Sequence, residues 1–428
     1  MLLFGQGSPE LKISAAEMKH GLFSALDKLG ERKNVLVVPP DFTRFHSQAG
    51  LLTQFVYEYY GDALTAVLPA LGTHSPMTAE QIRKMFGEMP QELFKVHDWR
   101  NDVVTLGTVS GDYMSEITEG ALDFDWPVQV NKLLVEGNFD LILSIGQVVP
   151  HEVVGMANYN KNLFVGTGGS VAIHRSHFVG AVYGMERIMG RADTPVRRLY
   201  NYGTDHFGDA LPETVYVQTV VGRDDTDGPG SLAVRGLYVG SDIEVFNTAA
   251  DLSLKVNFEM LSEPLKKCVV YLDPSEFKST WLGNKAVYRT RMAMADGGEL
   301  LILAPGVQEF GEDEEIDILI RKFGYFGTGK TMRFVDESEK LRENLGVAAH
   351  LIHGSSEGRF EISYAAGRLS RKEIEDAGFK YAEIEDAMAR YNPEKLKDGF
   401  NKMPDGEEIF YISNPAIGLW AVKERFKD

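Results

Sequence analysis

Apolar residues in this chain follow two patterns, and the alternation between them predicts the architecture. Short continuous runs recur: NVLVV at Asn34–Val38, ALTAVLPAL at Ala63–Leu71, FDLILSI at Phe139–Ile145, KCVVYL at Lys267–Leu272, ELLIL at Glu299–Leu303 and EIFYIS at Glu408–Ser413. Between them lie segments with apolar residues at helical spacing, among them Ala15–Leu29, Asn284–Ala295 and Asp313–Lys322. Thr78 with Gln81, and Ser370 with Glu373, have the spacing of capping boxes that open two more helices. Strands that are apolar throughout are buried on both faces. The pattern therefore predicts an α/β protein with mainly parallel sheets flanked by helices.

One stretch departs from this rhythm. TVYVQTVVG and SLAVRGLYVGS, within Thr214–Ser241, are strand-like and joined by the turn-rich RDDTDGPG, which reads as an antiparallel hairpin. A new α/β stretch begins near Leu265, so the boundary is expected between 245 and 262. With 428 residues, two domains are the natural division. We expect an N-terminal α/β domain over 1–255, a C-terminal α/β domain over 262–405 that closes a cleft, and a segment 406–428 packing back on the first domain.

Composition narrows the partners. The formal net charge of −18 disfavours nucleic acid. No apolar run approaches the length of a membrane span, and the N-terminus lacks the pattern of a signal peptide. The single cysteine, Cys268, sits in a strand-like run and reads as a buried residue. These features predict a cytoplasmic enzyme of small molecules. The oligomeric state is not legible.

Candidate chemistry gathers at strand ends. NVLVV is followed by Asp41, Thr43, Arg44 and His46; ALTAVLPAL by GTHSP with His74; FDLILSI by GQVVPHE with His151. Ligands of open α/β sheets bind at the carboxyl ends of strands, so three such ends predict a shared site. Beyond them, His151–His177 holds three histidines, Lys161 and several glycines. His174 and His177, three apart, suit one face of a helix and one metal ion. GTGGS, with Gly168 and Gly169, reads equally as a phosphate cradle and as a plain glycine turn. His350 and His353 lie in a strand-like run and read as structural. GYFGTGKT (Gly324–Thr331) matches the P-loop spacing, but a helix-like segment precedes it and a strand-like MRFV follows; a helix C-cap at Gly324 explains it better.

Several of these motifs together resemble the lactate racemase (LarA) family, the nickel-pincer-nucleotide enzymes. DFTR at Asp41–Arg44 is similar to the family's Asp-x-Thr-Arg motif, and GTHSP at Gly72–Pro76 to its first histidine motif. His151, Gly155, Lys161 and His177 fall at the family's spacing, and WLGNK at Trp281–Lys285 resembles its C-terminal-domain motif. The resemblance implies that Lys161 tethers a nickel-pincer nucleotide covalently and that His177 ligates nickel. It implies acid/base roles for His74 and His151, and substrate-carboxylate contacts for Arg44 and Lys285. Asp41 and Thr43 would support Arg44 or the cofactor, and Gly168, Gly169 and Trp281 would contact the cofactor.

Chemistry makes two bases reasonable. A 2-hydroxy acid has a weakly acidic Cα–H, and removing hydride avoids a carbanion; one histidine per face then serves both enantiomers. The implied activity is a 2-hydroxyacid racemase or epimerase, an isomerase, whose cofactor is made by separate biosynthesis proteins. Two departures border the substrate: Ala157–Asn160 replaces a Ser-Gly-Gly stretch, and Leu282 replaces a glutamine. They point away from lactate, toward a larger 2-hydroxy acid such as a sugar acid. The alternatives are a zinc-dependent hydrolase built on His151, His174 and His177, and a non-catalytic binder of small anions.

Overall fold

The computed structural model describes residues 1–224, 226 and 231–426. The chain divides into two compact units. One comprises Met1–Val179 with Met189–Asn257, the other Gly180–Ile188 with Phe258–Asp428. The early excursion of Gly180–Ile188 into the second unit was not foreseen.

In the first unit, strands β1 (Leu2–Gly7), β2 (Val35–Val38), β3 (Leu64–Val67), β4 (Val103–Val109), β5 (Trp126–Asn131) and β6 (Leu141–Gln147) precede the two-residue pair β7 (Pro150–His151) and β8 (Gly155–Met156). The hairpin strands β9 (Thr214–Arg223) and β10 (Leu232–Gly240) follow. Six of these form one sheet in the order β1-β10-β9-β6-β2-β3. The four strands β9, β6, β2 and β3 are parallel, while β10 pairs antiparallel with both β9 and β1. The hairpin is as the pattern predicted; its connection lies largely outside the described residues. From β2 the chain moves outward to β3, whereas from β6 it moves the other way to β9. The switch therefore lies between β2 and β6, where such sheets open a crevice.

The continuous apolar runs are buried on both faces, as expected of central strands. Val35, Val37, Leu141, Leu143, Ile145, Val215 and Val217 form one core with Leu22, Leu26, Leu52, Val56 and Phe86 from the covering helices. The helix Ala15–Leu29 opens with a capping box of Ser14 and Glu17, and Ala79–Phe86 with the expected box of Thr78 and Gln81. The helices Ala49–Tyr60 and Ala79–Phe86 approach closely enough that a Cβ at Gly50 would meet the carbonyl oxygen of Met85.

In the second unit, β11 (Phe258–Leu261), β12 (Leu265–Tyr271), β13 (Met294–Ala304), β14 (Glu361–Ala366), β15 (Lys380–Tyr381), β16 (Gly399–Lys402), β17 (Glu408–Ile412) and β18 (Leu419–Val422) follow in order. Six form a sheet in the order β15-β14-β13-β12-β17-β16, parallel except at β16–β17. Its core holds Val269, Leu301, Leu303, Ala365, Ile409 and Tyr411. The segment 406–428, expected to pack on the first domain, belongs instead to this unit. The ladder of β17 on β12 and of β18 on β11 claims it.

Two local expectations are corrected here. LGVAAHLIH is a buried helix, Leu345–His353, in which His350 bonds the Tyr325 hydroxyl through Nε2 at 2.9 Å. Helix and buried strand give the same unbroken apolar run, so periodicity could not separate them. MRFV lies in the helix Thr328–Glu337. Gly324 ends the preceding helix at φ 64, as the C-cap reading held. The Glu357 carboxylate takes the Thr328 backbone N–H (3.0 and 3.1 Å) and hydroxyl (2.8 Å), so an internal anion sits where a P-loop would meet phosphate.

Candidate active site

The carboxyl ends of β2, β3 and β6 deliver the polar residues that the sequence singled out. After β2, Asp41 caps a 3-10 helix, Phe42–Ser47. Its Oδ1 accepts from the Thr43 backbone N–H (3.2 Å) and from the Thr43 hydroxyl (2.5 Å). Its Oδ2 lies 2.6 Å from Nδ1 of His74, which follows β3. Asp41 is buried and His74 is 40 % exposed at its side chain. Burial raises the Asp41 carboxyl, but His74, Thr43 and Arg44 outweigh it and hold Asp41 below the usual range. The carboxylate thus keeps the His74 proton on Nδ1 and leaves Nε2 with a lone pair, the arrangement of an oriented general base. The resemblance gave Asp41 and Thr43 to Arg44 or the cofactor; here Asp41 serves His74, and Thr43 serves Asp41.

His151 is different. It lies in β7, buried, and its Nδ1 accepts from the Val153 backbone N–H at 3.1 Å. Its neutral form therefore carries the proton on Nε2, a hydrogen-bond donor. Burial holds His151 well below its ordinary value, with Lys161, Arg44 and His177 adding to the effect and Glu152 opposing it. The two histidines expected to act alike are opposite tautomers.

Lys161 opens the short helix Lys161–Phe164, and His177 sits on the long helix Ser170–Tyr183. Burial, then the neighbouring Arg44, brings the Lys161 amine down to about 8. Among the described residues neither the Lys161 amine nor the Arg44 guanidinium makes a hydrogen bond or an ion pair. His177 donates from Nδ1 to the Ile173 carbonyl at 2.7 Å, which leaves its Nε2 lone pair available. Burial, with Lys161 beside it, takes His177 down to about 3 and keeps it neutral. His46, also held down to about 4 by burial and Arg44, lies next to Gln147. Asp41, Arg44, His74, His151, Lys161 and His177 thus form one cluster, linked by hydrogen bond or electrostatic reach.

These residues fit a nickel-pincer nucleotide at two points. Lys161 supplies an unpaired, mostly enclosed amine whose lowered pKa suits covalent attachment. His177 supplies one nitrogen whose orientation is fixed by the bond its other nitrogen makes, the usual way a metal-binding imidazole is held.

Most backbone N–H groups of the glycine loop are engaged within the protein. The backbone N–H groups of Gly166, Thr167, Gly168 and Ser170 donate to the carbonyls of Lys161, Leu163, Val165 and Trp99. A Cβ at Gly168 would meet the Phe164 carbonyl, and one at Gly169 the Gln129 amide oxygen, so close packing accounts for both glycines. Gln129 also takes the Ala172 N–H at the start of the helix.

The zinc alternative fails on geometry. Among the described residues no three His, Cys, Asp or Glu side chains are placed to hold one metal ion. His174 packs its ring against Trp99 (centroids 5.9 Å apart). Trp281 and Lys285 lie in the second unit, where the Trp281 ring packs at a tilt against His350 (centroids 4.3 Å apart) and Lys285 opens the helix Lys285–Thr290.

Two residues of the neighbourhood escaped the sequence. His97 donates from Nε2 to the Gly168 carbonyl at 3.0 Å, and its Nδ1 accepts from Asn131 at 2.9 Å. Arg197 is buried under the backbone that leads to Lys161. Neither lies in a motif; only the fold brings them here.

Residues 18–188 match the lactate racemase N-terminal domain family. No curated protein matches the chain. Among solved structures, a Thermotoga maritima structural-genomics target covers 98 % of this chain and 100 % of its own at 24 % identity, with a TM-score of 0.81. The lactate racemase apoprotein from Thermoanaerobacterium thermosaccharolyticum covers 96 % of this chain and 93 % of its own at 16 % identity, with a TM-score of 0.70. These two likenesses establish a shared fold.

Proposed function

We infer, from the match of residues 18–188 to the lactate racemase N-terminal domain family, a racemase or epimerase of a 2-hydroxy acid acting at C2. The observation that supports this most is the cluster itself. An oriented base, a buried donor histidine, an unpaired amine and a neutral single-nitrogen ligand meet where three parallel strands end.

Lys161 would hold a nickel-pincer nucleotide covalently and His177 would ligate its nickel; when bound, that group supplies a hydride acceptor. Arg44, unpaired, meets the substrate carboxylate. His74 takes the hydroxyl proton at Nε2, and Asp41 stabilises the imidazolium that results. His151 donates from Nε2 to the substrate oxygen. To act as the base for the opposite enantiomer, His151 must give up the bond from Val153. Both directions of the interconversion pass through that step, so its cost slows both alike. The substrate roles of Trp281 and Lys285 rest on the motif alone. Substitution at Ala157–Asn160 and Leu282 supports a 2-hydroxy acid larger than lactate, such as an aldonic acid.

The test uses protein made in a host that carries the cofactor-biosynthesis proteins. Intact mass should show an adduct that Lys161→Ala abolishes, metal analysis should show nickel, and a 2-hydroxy-acid panel should show inversion at C2. Nickel-free protein without an adduct, or an intact adduct in Lys161→Ala, overturns the assignment. Binding of these acids without inversion restores the non-catalytic reading.

A further inference from the structure

Lys161 is reached through backbone that ordinary residues avoid. Asn158 and Tyr159 have φ of 66° and 58°. Two adjacent non-glycine residues in the left-handed region are uncommon, and such a pair persists only where its surroundings hold it. One side chain does most of the holding. Arg197, on the helix Pro195–Phe207, donates to the carbonyls of Met156 (2.7 Å) and Asn158 (3.2 Å) and to Oδ1 of Asn160. Asn160 in turn donates to Asn201 (2.9 Å) and Thr204 (3.1 Å) of the same helix.

Arg197 is 1 % exposed, and its guanidinium meets no carboxylate among the described residues. It lies 4.2 Å from the Phe246 ring centroid and 5.8 Å from that of Tyr159. A buried cation without a counter-ion is costly, and hydrophobic residues of similar size would usually serve stability as well. Its value must lie in what it grips. It grips one carbonyl just before the left-handed turn, one within it, and the side chain next to Lys161.

We propose that Arg197 is a positioning residue for Lys161: its fork fixes the left-handed turn at Asn158–Tyr159, and that turn presents the amine to the cluster of Arg44, His151 and His177. The proposal rests on reading Lys161 as the tethering amine. The Arg197 charge also acts on the amine in the same sense as burial and Arg44. A lysine at 197 keeps the charge and loses the planar fork, so it isolates the geometric part.

The experiment needs no cofactor. Full-length apoprotein is exposed to a brief pulse of acetic anhydride at pH 8, and Lys161 acetylation is read by peptide mass spectrometry against an exposed lysine such as Lys402. Arg197→Lys should lower the Lys161 rate at least threefold while a melting curve shows the protein folded. Adding Asn158→Gly, which takes a positive φ without strain, should recover at least half of the loss. An unchanged rate in Arg197→Lys overturns the proposal, and so does a loss that Asn158→Gly leaves untouched. Should Arg197→Lys not fold, Arg197→Gln is read by the same criteria. Failure here leaves the tether reading standing, because that reading depends on the adduct in holoprotein. An absent adduct in wild-type holoprotein sinks the tether and leaves the grip on the turn intact.

Discussion

Replacing Asp41 by asparagine should invert a single proton and with it the base. Both Thr43 donors point at Oδ1 of Asp41. In Asp41→Asn that atom remains the amide oxygen, because only oxygen can accept two such bonds. The amide NH2 then faces Nδ1 of His74, now 2.6 Å from a carboxylate oxygen. His74 must accept there, so its proton moves to Nε2 and the lone pair aimed at substrate is lost. A hydrogen bond to a charged group is worth about 1.5–3 kcal/mol, or roughly 10- to 150-fold in rate. Inverting the tautomer adds to that, and the same exchange in a Ser-His-Asp triad costs about 10⁴. We therefore expect kcat/KM on the inverted 2-hydroxy acid to fall about 10²- to 10⁴-fold in holoenzyme, with adduct mass and nickel unchanged. Nitrogen-15 spectra of the His74 ring in apoprotein should show the proton moving from Nδ1 to Nε2. A rate within threefold of wild type, or a ring still protonated at Nδ1, would refute the reasoning.

Two further outcomes concern stability. His46 is held down to about 4 in the folded state, whereas an unfolded histidine titrates near about 6.5. Between those values the unfolded chain binds a proton that the folded chain does not, so stability falls as pH drops through that window and is level above it. The slope should reach at most about 1.4 kcal/mol per pH unit for this residue, and His46→Gln should remove it in urea unfolding at pH 7, 6 and 5; an unchanged slope counts against the assignment. Gly50→Ala pushes a methyl into the Met85 carbonyl between two helices and should destabilise by about 1–3 kcal/mol. A midpoint equal to wild type in the same titration would show that the helices yield freely.

Much of the scaffold could be read from the chain because burial writes itself into short apolar runs and helical spacing. Val35–Val38 and Leu141–Gln147 fall where the runs placed them, and the Thr78 and Ser370 capping boxes form as spaced. Reading failed where two structures share one pattern, as at LGVAAHLIH, and where pairing between distant segments decides, as for β17. Within the site, residue types and strand ends gave the cluster, but not its wiring. Nothing local joins Asp41 to His74; the joining comes from β2 and β3 lying side by side. The tautomer of His151 depends on one backbone N–H of a tight turn. Arg197, an arginine on a helix, looks like a surface residue until its burial is seen.

The excursion of Gly180–Ile188 has a practical side. A gene cut after residue 257 does not release the first unit cleanly. It leaves Met185 and Ile188, both buried, and Glu186, which bonds Arg291 at 2.8 Å, without the residues that shelter them. The helix bearing His177 runs straight into that bared stretch. Truncation is thus a poor way to isolate the chemistry, and swapping C-terminal halves between relatives should carry residues 180–188 along with everything from 258 onward.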